Sequence, residues 1–113
     1  MPEQGDIVLI PVPFTDLSST KRRPVIVVSN DEYNQYRQDI VVVAMTSNPI
    51  AGTYAFTLSS SDLERGELNR PGQVRVDKID TLSQSIVAKT FGRVDAATLD
   101  RIRSLLRDLT AKT

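Results

Sequence analysis

The 113-residue sequence contains no cysteine and no histidine, and these two absences exclude several kinds of chemistry. Without cysteine there is no disulfide bond and no thiolate nucleophile. Without histidine there is neither a Ser-His-Asp or Cys-His triad nor a histidine-liganded zinc site. A catalytic site in this chain would have to be built from other side chains.

Long apolar runs and an excess of charge are also missing. No stretch approaches the roughly 20 apolar residues that span a bilayer, and the opening MPEQGD lacks the pattern of a signal peptide. We therefore expect a cytoplasmic protein that does not enter a membrane. Fourteen basic residues balance fourteen acidic ones, so anion binding would require a local cluster. Ten of the basic residues are arginine, whose planar guanidinium suits phosphate.

The apolar residues fall into short runs typical of β-strands, followed by one helical pattern. The strand-like runs cover residues 6–14, 24–29, 40–46, 53–59, 73–80 and 85–94. Residues 30–39 have room for one helical turn, and 95–110 have the spacing of an amphipathic helix with Asp95 as its N-cap. We therefore predict one domain over 1–113, of the α+β class: a small, mostly β barrel with a C-terminal helix.

Alternation in QVRVDKID (73–80) predicts a strand with three apolar side chains directed inward, namely Val74, Val76 and Ile79. Arg75 and Asp77 then share the opposite face, with their Cα atoms about 6.6 Å apart. At that spacing a guanidinium and a carboxylate can both reach one small anionic group. They can equally form an exposed ion pair that contributes under about 1 kcal/mol. Spacing alone leaves both alternatives open.

A dense cluster of positive charge, KRR at 21–23, directly precedes Pro24 and an apolar run. These cations either end a solvated loop or supply local charge for an anionic ligand. Pro24 limits where the Arg23 side chain can point, which favours phosphate binding. Thr46 and Ser47 end the next apolar run, where hydroxyls either cap a turn or donate to a phosphate oxygen.

Taken together, GDIVLIPVPFTDLSSTKRRPVIVVSND, VVVAMTSN and VRVDKIDTL resemble the MazF/PemK (Kid) toxins of bacterial toxin–antitoxin modules. The resemblance runs from Gly5 to the C-terminal helix. It implies an SH3-like (PemK-like) barrel that forms a homodimer. It also implies a metal-independent, cofactor-free endoribonuclease that cleaves single-stranded RNA at preferred sequences. A cognate antitoxin would inhibit the enzyme by placing a flexible segment in the RNA groove.

The same resemblance assigns the catalytic positions, which fall on Arg23, Thr46, Arg75 and Asp77. It also gives Ser47 as an RNA contact. The cations Lys21, Arg22 and Lys78 are the other expected RNA contacts. Asp77 is the candidate general base because arginine keeps its protons at neutral pH, whereas Arg23 and Arg75 would stabilise charge on the phosphate. Attack by the 2′-OH of RNA predicts a 2′,3′-cyclic phosphate and a 5′-OH as products.

Two other functions fit a barrel of this size. One is a non-catalytic module that binds nucleic acid or protein. The other is a toxin of the same fold that poisons a protein target such as DNA gyrase and needs no Arg/Asp pair. Incubation of the purified protein with mixed RNA, scored for fragments, separates these functions. For the homodimer, the apolar strand face carrying Tyr54 and Phe56 is the candidate interface.

Overall fold

The computed structural model describes residues 1–11, 21–49 and 51–113. This part of the chain forms one antiparallel sheet with the strand order β4-β6-β3-β2-β1-β7-β5. The strands are β1 (Asp6–Pro11), β2 (Arg22–Val27), β3 (Asp39–Thr46), β4 (Ala55–Leu58), β5 (Leu63–Arg65), β6 (Gly72–Ser83) and β7 (Lys89–Val94). The helices are α1 (Asp31–Tyr36) and α2 (Ala96–Leu109), and two 3-10 turns cover Ser60–Asp62 and Gln84–Ile86.

The sheet curls into a half-barrel and α2 follows its last strand, so the predicted fold class is confirmed. The predicted loop over 60–72 contains one additional short strand, β5. The predicted continuation of the first strand over 12–14 and most of the predicted loop over 15–21 lie outside the described residues. No helix in the described ranges is long and apolar enough to cross a membrane.

The sequence predicted Pro24 at the start of a strand. In the structure Pro24 is the third residue of β2. It is opposite Leu9 of β1, while the described pairing of β2 with β3 begins only at Val25. Proline has no N–H to donate and is tolerated in a strand only where the ladder does not need that donor. The strand therefore begins earlier than expected, and Arg22 and Arg23 belong to it.

The sheet is apolar on both faces because alternate residues of its strands point to opposite sides. The helix-side core consists of Ile7, Ile26, Val43, Met45, Phe56, Leu58, Val74, Val76, Val94 and Ile102. The opposite core consists of Val8, Val25, Val27, Ile40 and Val42. The helix α2 contributes Ile102, which is fully buried, and Asp95 caps this helix as predicted by accepting from the Thr98 N–H at 2.8 Å. The buried runs are thus covered on both sides.

A bulge interrupts β6. Val43 of β3 is opposite Ile79, but its neighbour Ala44 is opposite Arg75, so residues 76–78 are extra relative to β3. Extra residues break the period of two on which the face of each side chain depends. The prediction that Ile79 points into the core is therefore wrong, since this side chain is 43% exposed.

The expectation that Tyr54 and Phe56 form an exposed apolar strand face is also wrong for Phe56. Phe56 is only 6% exposed, and Leu58 is fully buried beside it in the helix-side core. Tyr54 packs against the same core. The guanidinium of Arg101, on α2, lies 4.1 Å from the centroid of the Phe56 ring and helps to cover it. This apolar stripe is occupied within the chain.

Candidate functional site

The ends of three neighbouring strands lie together at one end of the sheet and line a groove of about 400 Å³. The start of β2, the end of β3 and the start of β6 lie together there because neighbouring strands run antiparallel. The strand ends contribute residues 21–24, 45–48 and 72 to the groove. The segment before β6 contributes Leu68, Arg70 and Pro71. Since β3 lies between its two neighbours, its end forms the centre of the groove.

The described residues that line the groove carry positive charge. Its cations are Lys21, Arg22, Arg23 and Arg70, and no aspartate or glutamate is among the described residues that line it. Within residues 1–11, 21–49 and 51–113, no carboxylate lies within ion-pair distance of Arg22, Arg23 or Arg70. The chain has no net charge, so such a cluster creates a local positive potential that attracts anions.

Thr46 and Ser47 lie at the centre of this groove. The Thr46 hydroxyl accepts a hydrogen bond from the Asn48 N–H at 3.2 Å, which is the turn-capping arrangement. That bond uses an oxygen lone pair and leaves the hydroxyl hydrogen available. Thr46 can therefore cap the turn and donate to a phosphate oxygen at the same time, and the exposed Ser47 adds a second donor.

Arg75 and Asp77 form a bidentate ion pair. Arg75 Nε donates to Asp77 Oδ1 at 3.2 Å, and Arg75 Nη2 donates to Asp77 Oδ2 at 2.9 Å. These hydrogen bonds lower the pKa of Asp77 below that of an ordinary aspartate and raise the pKa of Arg75. Both side chains remain partly exposed. Each carboxylate oxygen has a second lone pair, so Asp77 can accept a further hydrogen bond from a ligand.

The ion pair does not line the groove, but it lies on the same face of the sheet. In β3, Thr46 is opposite Gln73 of β6 and Ala44 is opposite Arg75. On the other side of β3, Ala44 is opposite Val25 of β2, and Arg23 lies two residues before Val25. Paired residues share a face and so do residues two apart. By ideal strand geometry, the Cα atoms of Arg23 and Arg75 are about 12 Å apart, close enough for two long side chains to approach one ligand.

The structure thus separates the predicted site residues into three groups. Five of them line the groove: Lys21, Arg22, Arg23, Thr46 and Ser47. Arg75 and Asp77 form the neighbouring ion pair, and Lys78 is exposed in the bulge beside it. Sequence reasoning missed two further groove residues with polar side chains, Asn48 and Arg70. One signal was available for Arg70, since it precedes Pro71 just as Arg23 precedes Pro24.

Together, the groove and the ion pair can hold an extended anion. Guanidiniums and hydroxyls bind phosphate oxygens, and a carboxylate beside them can take up a proton. In the part of the chain that the structure describes, no three Asp or Glu side chains are grouped so that they could hold a metal ion. The fold and the site define a small β half-barrel with a cationic groove suited to a phosphodiester chain.

Comparison with known proteins gives the family. The family model for PemK-like, MazF-like toxins of type II toxin–antitoxin systems matches residues 3–110. The chain therefore belongs to this family. A search of curated proteins found no match.

Solved structures of similar fold agree with this assignment. One is an endoribonuclease in complex with its cognate antitoxin from a mycobacterial species, with 25% identity, a TM-score of 0.76 and coverage of 96% of this chain and 93% of that chain. Another is an endoribonuclease from a mycobacterial species, with 25% identity, a TM-score of 0.74 and coverage of 95% and 88%. A MazE–MazF structure from Deinococcus radiodurans has 25% identity, a TM-score of 0.78 and coverage of 99% and 98%.

Proposed function

We propose that this protein is an endoribonuclease toxin that cleaves single-stranded RNA, mRNA included, without a metal ion and that a cognate antitoxin inhibits it. The observation that carries the proposal is the cationic groove, in which Arg22, Arg23 and Arg70 have no carboxylate partner among the described residues and which shares one sheet face with the Arg75–Asp77 pair. Family membership and the similar endoribonuclease structures support the same activity. We further propose that the whole chain acts as one domain in the cytoplasm.

RNA binding begins in the groove. The guanidiniums of Arg22 and Arg23 have no carboxylate partner in the described ranges, so phosphate binding does not require an existing ion pair to break. The backbone of a single strand follows this charge from Lys21 and Arg22 towards Ser47. Lys78 extends the charge beyond the ion pair. Each neutralised phosphate releases a counterion, so binding weakens as salt is added.

Asp77 acts as the general base for the 2′-OH of RNA. Its carboxylate is ionised at neutral pH, and the two hydrogen bonds from Arg75 lower its pKa further. A carboxylate held in this way is a weak base. A phosphate oxygen that binds Arg75 competes for these donors, weakens the ion pair and makes Asp77 more basic at the moment when the nucleophile must lose its proton. Substrate binding therefore activates the base.

Arg23, Arg75 and Thr46 stabilise the transition state. Attack of the 2′-OH places additional negative charge on the phosphate oxygens, and donors fixed around them lower the barrier. The 5′ oxygen leaves and takes up a proton, which Arg23 or Arg75 donates transiently and regains from water. The products are a 2′,3′-cyclic phosphate and a 5′-OH.

The test compares the protein with Asp77→Asn and a matched control. Asp100→Asn makes the same chemical change on α2, where Asp100 pairs with Arg103 at 3.4 Å. Mixed single-stranded RNA is incubated with each protein, with and without excess chelator, and the new ends are identified. Asp77→Asn should lower the cleavage rate by about 10²- to 10⁴-fold, whereas Asp100→Asn and chelator should leave it unchanged.

Other outcomes would contradict the proposal. Strong RNA binding without any cleavage by the unmodified protein would favour a binding module. Full cleavage by folded Asp77→Asn would remove this residue from the mechanism, and loss of cleavage in chelator would show that a metal is needed. The homodimer and the antitoxin complex are checked by light scattering of the protein alone and with the candidate antitoxin.

A further inference from the structure

The side of the groove next to β6 differs in chemistry from the side next to β2. The β2 side presents consecutive cations, residues 21–23, at the level of Thr46. On the β6 side, which we call the 68–71 wall, the groove is lined by a single arginine, Arg70, together with Leu68 and Pro71. Consecutive cations match the charge of a phosphate backbone. Apolar surface beside one guanidinium matches the flat face and polar edge of a nucleobase.

The 68–71 wall is held in place before any ligand binds. The Ser60 hydroxyl accepts from the Leu68 N–H at 2.9 Å and donates to the Leu68 carbonyl at 3.2 Å. The Leu68 side chain also packs against the helix-side core. Pro71 restricts the backbone of Arg70 to extended conformations. A preformed wall loses little conformational entropy on binding, which is a requirement for discrimination between similar ligands.

The join between this wall and the centre of the groove is tight. A Cβ atom added to Gly72 would lie 3.3 Å from Met45 Cε and 3.7 Å from the Thr46 carbonyl oxygen. The first residue of β6 therefore packs directly against the end of β3. This contact places the 68–71 wall beside Thr46, which the proposed mechanism assigns to the scissile phosphate.

We propose that the 68–71 wall holds a nucleobase next to the scissile phosphate and that Arg70 is a specificity-determining residue that favours guanine. This inference rests on the proposed function. Arginine has five N–H donors and no acceptor, so it pairs best with a base edge that presents two acceptors side by side. Guanine presents O6 and N7 in this way, whereas adenine and cytosine present an amino group at the corresponding position. The guanidinium of Arg70 has no carboxylate partner among the described residues and is available for that edge.

The experiment measures binding separately from cleavage. Seven-nucleotide oligouridylates with 2′-fluoro groups lack the 2′-OH nucleophile, so they report affinity even when the protein is active. One central nucleotide is guanine, 7-deazaguanine or adenine. The 7-deaza base keeps the shape and the other edge of guanine but lacks the N7 acceptor. The unmodified protein should bind the guanine oligonucleotide about 5- to 100-fold more tightly than the other two.

Two variants locate the preference. Arg70→Ala should bind all three oligonucleotides with nearly equal affinity. Arg107→Ala removes an exposed arginine of α2 that donates to Ser104 and should keep the full preference. In parallel, the 5′-OH ends that each protein produces from total RNA are sequenced. A guanine preference close to the cut should be present for the unmodified protein and lost for Arg70→Ala.

Each outcome separates this inference from the proposed function. An unchanged guanine preference in Arg70→Ala would overturn the inference and leave the nuclease proposal standing. An equal loss of affinity for all oligonucleotides would show a phosphate contact and also overturn it. A guanine preference that depends on Arg70, in a protein that does not cut RNA, would support the inference and reject the nuclease. Absence of any RNA binding would reject both.

Discussion

Arginine has opposite roles in two regions of this molecule. At one edge of the sheet, Arg93 contacts three carboxylates: Nη1 lies 3.2 Å from Glu3 and 2.9 Å from Asp6, and Nε lies 3.3 Å from Glu64. At the groove, no carboxylate of the described residues is within ion-pair distance of Arg22, Arg23 or Arg70, although the chain contains as many acidic residues as basic ones. The two regions use the same residue type and differ in whether carboxylates surround the guanidinium.

The arginine with three acidic partners has a structural role. Arg93 belongs to β7 and is opposite Asp6 of β1, while Glu64 lies on β5, so one guanidinium joins three strands. Its side chain is 20% exposed, and that of Asp6 is 11% exposed. The groove arginines, which have no such partners among the described residues, are available to bind an anionic ligand. The number of arginines in a sequence therefore says little until the carboxylates around each one are known.

Among the arginine replacements, that of a groove arginine should have the largest effect, and it should affect activity. Arg23→Ala removes a cation that the proposed mechanism places on the scissile phosphate, and we expect the cleavage rate to fall by about 10²- to 10³-fold. The urea midpoint should stay unchanged because Arg23 makes no ion pair with a described residue. Arg107→Ala is the matched control. Unchanged cleavage by Arg23→Ala would show that this groove arginine does not contribute to activity.

Replacement of Arg93 should have the reverse pattern. Arg93→Ala leaves the nearly buried Asp6 carboxylate without its cation, and we expect the free energy of unfolding to fall by about 1 to 3 kcal/mol. Cleavage by the folded fraction should stay unchanged at low temperature. The control Arg103→Ala breaks an exposed pair with Asp100 and should cost under about 1 kcal/mol. Equal urea midpoints for both variants would show that the three contacts of Arg93 do not stabilise the fold.

A smaller effect should separate the phosphate contacts within the groove. Arg22→Ala should weaken RNA binding to a similar extent for every sequence and reduce the slope of log affinity against log salt by about 0.7. The measurement is affinity for an uncleavable oligouridylate between 50 and 200 mM salt, roughly the range over which such slopes are resolved. An unchanged slope would mean that no phosphate contacts this guanidinium.

The sequence predicted those features that depend on local periodicity. Period two in VRVD placed Val74 and Val76 in the core and Arg75 beside Asp77, and each of these placements is observed. The helical spacing after Asp95 predicted α2 and its cap. Such patterns are visible in the sequence because one residue and its near neighbours determine them.

Features that depend on distant parts of the chain were missed. The three extra residues in β6 are defined only by pairing with β3, so Ile79 could not be placed from its own strand. The burial of Phe56 depends on α2, which lies far along the sequence. Arg70 was read as part of a loop because its role depends on β6 lying next to β3. The resemblance to a family identified the groove of Arg23 but not its second wall.

The smallest effect, and the sharpest check on Asp77, is the dependence of cleavage on pH. Asp77 must be ionised to act as a base, and the hydrogen bonds from Arg75 hold its pKa below the usual aspartate value of about 3.9. Activity should therefore be lost only as the pH falls through that lowered pKa, well below 5. On the alkaline side Arg75 keeps its proton, because the same bonds raise its pKa.

The chain has no histidine, whose unperturbed pKa lies near 6.5, and neither Asp77 nor Arg75 is expected to titrate between about pH 5.5 and 8. We predict that kcat/KM, measured at constant ionic strength, changes less than about twofold across this range. The Asp77→Asn variant should be slow, and its rate should rise with pH because hydroxide must then remove the 2′-OH proton. A bell-shaped profile centred near neutral pH would show that a group with a strongly perturbed pKa does the proton transfer, and Asp77, bound to Arg75 at 2.9 Å, would not be that group.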